Sequence, residues 1–352
     1  MIVLGADTHK RSHTIAAVAA LTGELLGEQT VAVGRRGFGV LLRWARGLDG
    51  ERVWAIEDCR HVSGSLERFL IERGERVLRI PTHVAANARR SARQRGKSDA
   101  IDALNVARAA LQEGLGTFPV AHLDGPELDL RLLVDHRERL IRHRVELNST
   151  LLWHLHDLWP ELQLPGGALF SRKWSTRIGR RLARAEQTMR VRIARDELRR
   201  LRELTLAVRQ LQREITALVT RIAPQLLDQP GFGPLIAAKL VGEIAGAQRF
   251  ATPAKLARAD GVAPIPASSG NTTRQRLDQG GNRQINAALH RVIVTRARCH
   301  QPTRDYITRR QSEGKSTREA IRCLKRYLTR HVWRLLQPPQ AVTATPPHPS
   351  IP

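Results

Sequence analysis

Lys97-Ser98-Asp99-Ala100-Ile101-Asp102-Ala103 is the stretch around which the rest of the chain makes sense. Two carboxylates three residues apart in a helix project from one face, and a basic residue, Lys97, stands just before them. Two further acids lie upstream, Asp7 in Leu4-Gly5-Ala6-Asp7-Thr8-His9-Lys10 and Glu57 in Val53-Trp54-Ala55-Ile56-Glu57-Asp58. Each follows a short apolar run that predicts a strand. Acids at two strand ends and on one helix suit two divalent cations about 4 Å apart, which activate an attacking oxygen and stabilise a leaving one at a phosphodiester. Oxygen-only ligands favour Mg²⁺, with Mn²⁺ as the alternative. Singly, each acid has a blander role: Asp7 as a turn cap, Glu57 or Asp58 as a cap of the next helix, Asp99 as a helix cap with Asp102 paired to Arg108 or Lys97.

The order of elements decides whether these acids meet. Ile2 to Ala6, Thr14 to Ala20 and Glu24 to Val33 predict three strands in an antiparallel meander. A helix over Arg36 to Leu48, a strand over Arg52 to Glu57, a helix over Ser63 to Arg73, a strand over Arg76 to Ile80 and the Lys97 helix to about Glu113 follow. That is the order of an α/β, ribonuclease-H-like fold, in which Asp7, Glu57, Asp99 and Asp102 converge. Gly114 to Pro126 predicts a linker. Glu127 to Trp159 has a helical pattern, as does Thr176 to Ile222, where apolar residues from Leu198 through Leu218 approach heptad spacing. Pairing between chains and pairing within one chain both satisfy that pattern.

A different domain is expected from Pro224. Pro230-Gly231-Phe232-Gly233-Pro234 with Leu235 to Ile244 resembles the turn and second helix of a helix-hairpin-helix, in which Gly231 and Gly233 let backbone N–H groups approach a phosphate. Ser269 lies in a loop introduced by Pro264 and Pro266, with Arg274 and Arg276 close behind it. Gly281-Asn282-Arg283 then leads into a helix over Gln284 to Cys299. A serine in such a loop is ordinarily a turn former. A last helix spans Ser316 to Leu336, and Gln337 to Pro352, rich in Pro and Thr, predicts a disordered tail.

Composition names the partner class. Lys plus Arg number 58 against 33 Asp plus Glu, a formal charge of +25, and the pI is about 11.5. A polyanion is the expected ligand, because neutralising phosphates releases counterions. Cys59, Cys299 and Cys323 are too widely spaced for a zinc site and imply a reducing compartment. With Asp7 in the first strand, neither a signal peptide nor a membrane span is expected. The expected location is the cytoplasm, associated with the nucleoid.

These motifs resemble a known family. Gly5-Ala6-Asp7-Thr8-His9-Lys10, the Glu57 strand end and Gly96-Lys97-Ser98-Asp99-Ala100-Ile101-Asp102-Ala103 are similar to the motifs of the DEDD insertion-sequence transposases, insertion-sequence family 110. Pro230-Gly231-Phe232-Gly233-Pro234, Gly261-Val262-Ala263-Pro264, Ser269-Gly270 and Gly281-Asn282-Arg283 agree in order and spacing, so the resemblance runs from about Val3 to Leu336. Ser98 stands where the family more usually has threonine.

The resemblance implies a RuvC-like nuclease domain over 1–114, a linker over 115–126, a helical coiled-coil region over 127–223 and a transposase domain holding the catalytic serine over 224–336. It assigns the metal-binding set to Asp7, Glu57, Asp99 and Asp102 and the nucleophile to Ser269, which precedes glycine. Lys97, Gly231, Gly233, Arg274, Arg276, Asn282 and Arg283 are the expected nucleic-acid contacts, with DNA and RNA not distinguished among them. The implied chemistry is recombination of donor and target DNA through a phosphoserine intermediate, guided by a noncoding bridge RNA, in homodimers that assemble to a homotetramer. The alternatives are a metal-dependent Holliday-junction resolvase-like nuclease that uses water, and an inactive nucleic-acid-binding derivative.

Overall fold

The computed structural model of the chain describes residues 1–57, 60–81, 84, 98–118, 120–121, 125–267, 275–276 and 281–337. The chain divides into two compact units, Met1–Asp124 together with the chain from Gly246 onward, and Gly125–Ala245.

The first unit begins with β1 (Ile2–Thr8), β2 (Ser12–Ala19) and β3 (Leu25–Ala32), followed by α1 (Arg35–Leu48), β4 (Arg52–Glu57), α2 (Arg60–Ile71), β5 (Arg76–Ile80) and α3 (Asp99–Glu113). The expected meander forms, with β1 antiparallel to β2 and β2 antiparallel to β3. The chain then crosses over so that β4 pairs parallel to β1, and β5 parallel to β4. The resulting order, β3-β2-β1-β4-β5, is that of a ribonuclease-H-like sheet. β1 and β4 are buried on both faces, so they read as continuous apolar runs rather than alternating ones. One face packs on α1 and α2 through Leu4, Ile15, Phe38, Leu41, Trp54 and Leu66. The other packs on α3 through Val3, Ala16, Val53, Leu78, Ala103 and Ala107.

Glu75 ties the start of β5 to its neighbours. Its carboxylate accepts hydrogen bonds from Arg52 Nε (2.7 Å), Arg52 Nη2 (2.7 Å), Trp54 Nε1 (3.0 Å) and Arg46 Nη2 (3.2 Å). Burial pushes this carboxyl up, but the bonds from Arg52 and Trp54 outweigh it and hold the group below its ordinary value. A carboxyl lowered on folding contributes stability that is present above the ordinary glutamate range and is lost as pH falls through the lowered value. Glu75→Gln is expected to cost about 2 kcal/mol at pH 7. In urea unfolding the difference from wild type should shrink at pH 3.5.

Part of the stretch expected as a linker is structured against the sheet. Val120 bridges to Leu78, the Ala121 N–H donates to the Val77 carbonyl (2.8 Å), and Phe118 and Ala121 are buried.

The second unit is helical: α4 (Pro126–Leu158), α5 (Arg172–Arg184), α6 (Met189–Ile222), α7 (Pro224–Leu227) and α8 (Pro234–Ile244). The long helices α4 and α6 pair antiparallel within one chain, Arg137 meeting Gln212 and His154 meeting Glu197. The heptad-like pattern is therefore used intramolecularly, and Leu206 points to solvent, 64% exposed. The helix expected over Thr176 to Ile222 is two helices. Gln187 Nε2 donates to the Leu182 and Ala185 carbonyls, and the Thr188 hydroxyl accepts from the Val191 N–H. These side-chain caps end one helix and start the next with no Gly or Pro at the break. α8 is buried against both long helices through Ala237, Ala238, Leu240, Val241 and Ile244. A methyl at Gly242 would lie 2.9 Å from the Arg131 Cα, so glycine sets how closely α4 approaches.

The first unit resumes with α9 (Pro253–Ala259), β6 (Ile265–Pro266), β7 (Gln275–Arg276), α10 (Arg283–Cys299), α11 (Gln301–Ser312) and α12 (Thr317–Leu335). α12 opens with a capping box in which Ser316 accepts from the Glu319 N–H and Glu319 accepts from the Ser316 N–H. The tail from 338 lies outside the described residues. No described helix is long and apolar enough to cross a membrane.

Candidate active site

Asp7 sits near the end of the central strand β1, with its side chain 15% exposed. Glu57 is the last residue of β4, one position beyond the Ala6–Ile56 pair, so the two acids end adjacent parallel strands. Asp99 and Asp102 occupy the first turn of α3. The Ser98 hydroxyl caps that helix by accepting from the Ile101 N–H (3.3 Å). The capping role open to Asp99 is thus taken by Ser98, and Asp99 projects outward, its side chain 58% exposed. Arg108, the candidate partner of Asp102, donates to the Gly23 carbonyl (3.3 Å).

Gly5 brings the helix and the strand together. A methyl there would stand 2.1 Å from the Ala103 carbonyl oxygen and 2.5 Å from the Ala107 nitrogen. With hydrogen alone at this position, the α3 backbone lies directly on β1, two residues before Asp7.

The residue that sequence reasoning missed is His9. Its Nδ1 lies 3.6 Å from Asp7 Oδ2 and 3.9 Å from Asp99 Oδ2. Among the described residues, Asp7, His9 and Asp99 form the group whose ligand atoms all lie within 4.8 Å of one another. Two carboxylates and an imidazole nitrogen at that separation fit a divalent cation. Glu57 and Asp102 flank this group without joining it at that distance. The signal for His9 was its place two residues after Asp7, where β1 ends and its side chain turns back over the strand end.

The nucleophile candidate is bracketed rather than described. Lys97, Ser269 and Arg274 lie outside the described residues. The segments on either side of Ser269 are held together: β6 and β7 pair antiparallel, Ile265 with Arg276 and Pro266 with Gln275. Below that stem the Asn282 N–H donates to the Ala259 carbonyl (2.7 Å). A methyl at Gly281 would fall 1.9 Å from the Gly261 nitrogen, so this neck closes only with glycine.

Of the residues placed near nucleic acid, Arg276 and Arg283 are exposed. The Asn282 side chain caps α10, accepting from Gln284 N–H (2.8 Å) and Ile285 N–H (3.2 Å). Gly231, at φ 79°, and Gly233, the residue before α8, make the turn into that helix. The helix before the turn, α7, has four residues, shorter than a helix-hairpin-helix supplies.

Two family profiles match, one described as "Transposase" over residues 4–160 and one as "Transposase IS116/IS110/IS902 family" over residues 223–308. This chain belongs to the IS110-type insertion-element transposases. The transposase is 27% identical to the insertion element IS116 uncharacterized 44.8 kDa protein of Streptomyces clavuligerus, over 98% of this chain and 97% of that protein. It is 26% identical to the insertion element IS900 uncharacterized 42 kDa protein of Mycobacterium paratuberculosis, over 82% of this chain and 83% of that one. Among solved structures, T. thermophilus RuvC in complex with a Holliday junction substrate matches 34% of the transposase and 99% of its own chain, at 18% identity and a TM-score of 0.27. The first profile covers the strands and helix that carry all four acids, and the second spans Ser269 and the neck below it.

Proposed function

We propose that this transposase cuts and exchanges DNA strands through Ser269, with Asp7, Glu57, Asp99 and Asp102 as a Mg²⁺ site and a bridge RNA as the guide to donor and target DNA. The observation that carries the reading is the approach of Asp7, His9 and Asp99 to within 4.8 Å at the ends of β1 and α3. When bound there, a divalent cation supplies charge stabilisation at the scissile phosphate. Asp7 and Asp99, with the His9 imidazole beside them, would hold the cation, and Glu57 and Asp102 would complete the acidic set.

The Ser269 hydroxyl attacks phosphorus. A serine O–P bond forms, the bond from phosphorus to one sugar oxygen breaks, and that sugar leaves as a hydroxyl carrying the proton. Attack by the hydroxyl of the exchanged strand reverses these events and frees the serine. On this reading 1–114 is the nuclease domain, 115–126 a linker, 127–223 the helical region, 224–336 the serine domain and 337–352 a tail. A homotetramer brings the nuclease domain of one subunit to the serine domain of another.

The test is incubation of the full chain with Mg²⁺, RNA transcribed from the noncoding flank of the element and labelled donor and target duplexes, followed by denaturing electrophoresis. A protein-linked DNA band that requires RNA and metal and disappears in Ser269→Ala is expected. Cut DNA with no linked band would instead assign the hydrolytic nuclease. A linked band that persists in Ser269→Ala would remove the serine assignment.

A further inference from the structure

A cavity of about 1010 Å³ opens between the β6–β7 stem and helices α10, α11 and α12. Its wall is strongly basic, and the charges are not equally satisfied. Arg309 and Arg310 face Glu313, and Arg322 faces Glu319. Arg276, Arg326 and Arg330 have no carboxylate partner among the described residues. Arg322, Arg326 and Arg330 follow one another at four-residue spacing, which stacks them along one face of α12 about 6 Å apart.

Lys325 reaches into the same space from α12. It is half-buried, and its ammonium donates to the neutral Asn286 Oδ1 (2.7 Å). Burial, with Arg322 nearby, lowers this lysine below its ordinary value. An anion beside it would favour the charged ammonium and so offset both effects.

The cavity also has an aromatic side. Tyr306 of α11 and Tyr327 of α12 meet edge to face, ring centroids 6.0 Å apart and planes at 79°. Tyr327 is 56% exposed. An exposed ring beside unpartnered cations gives a base a stacking surface while its phosphates are neutralised, the combination that grips single strands. A paired duplex keeps its bases stacked on one another and offers no free face to such a ring.

We infer that this cleft seats single-stranded DNA, with phosphates on Arg326, Arg330 and Lys325 and an unstacked base on Tyr327 against Tyr306. The choice of DNA over RNA rests on the recombinase reading, because Ala267 and Gln275, which flank the Ser269 loop, also line the cavity. The strand held here is the one that the serine attacks once the duplex has been opened.

The probe is a single-stranded oligodeoxynucleotide carrying 5-iododeoxyuridine, photocrosslinked to the full chain and mapped by mass spectrometry. Crosslinks at Tyr306 or Tyr327 are expected. Arg326→Gln with Arg330→Gln should weaken binding of this oligonucleotide by about tenfold or more and lower the slope of log affinity against log salt by about 1.4. Tyr327→Ala should weaken it by about tenfold with the salt slope unchanged. Unchanged thermal melting of the variants will show that they fold.

Crosslinks that map outside α11 and α12, or unchanged binding in the variants, would overturn the inference. So would an RNA oligonucleotide of the same sequence that occupies the cleft in preference to DNA. The serine reading fails separately: a linked band that persists in Ser269→Ala while the cleft crosslinks are intact condemns the serine alone. A normal linked band in the Arg326/Arg330 variant condemns the cleft alone.

Discussion

Asp7→Asn is expected to lower metal-dependent DNA cleavage by about three orders of magnitude while leaving the fold and DNA binding intact. Asp7 stands on the middle strand of the sheet, between β2 and β4, and is the less exposed of the two carboxylates that face His9. Asparagine keeps its size and shape but takes away the charge that, on the proposed reading, holds a divalent cation and balances it. A loss of about 4 kcal/mol in transition-state stabilisation corresponds to that rate factor. The measurement is cleavage of labelled donor duplex across a Mg²⁺ or Mn²⁺ titration, with circular dichroism as the check on folding. Wild-type cleavage by Asp7→Asn would remove Asp7 from the chemistry; absence of cleavage in the wild type as well would favour an inactive nucleic-acid-binding derivative.

Gly5→Ala should be the most damaging single methyl in the sheet. Its added carbon would fall 2.1 Å from a backbone oxygen and 2.5 Å from a backbone nitrogen of α3. Neither atom can turn aside as a flexible side chain would, so the whole helix must move away from β1. Overpacking of this kind costs about 3 kcal/mol or more. Asp99 and Asp102 ride on the first turn of the displaced helix, so on the proposed reading the substitution links stability to activity. The expected result is a lower unfolding midpoint in urea together with weaker metal dependence of cleavage. Gly39→Ala, where a methyl meets nothing within 4 Å, is the control: it lies in α1 and should leave both readouts near wild type.

The sheet was legible in the sequence because its signals are local and agree. Apolar runs bounded by turns placed β4 and β5 with the bounds the structure has, and the alternation of elements implied their order. The places of the acids, near two strand ends and in the first turn of a helix, were legible for the same reason. What the sequence hid depends on side chains meeting across the fold or capping one another. His9 matters through its distance to Asp99, ninety residues along the chain. The break at Gln187 and Thr188 is made by two side-chain caps where neither Gly nor Pro marks it. α11 escaped notice because it is polar around its circumference, with Thr303 its one buried residue, so it carries no apolar stripe to read. The pairing of Tyr306 with Tyr327 depends on that unrecognised helix.

The sheet order also bears on how the protein avoids sticking to itself. A five-stranded sheet has two outer strands, and each presents backbone groups that can recruit a stranger's strand. On one side Val120 and Ala121 lie along β5 and occupy part of that rim. On the other, β3 buries Val31 but leaves most of its length exposed, carries Glu28, and shifts register against β2 at Ala17 and Val18. A charged, irregular rim is a poor template for amyloid-like growth.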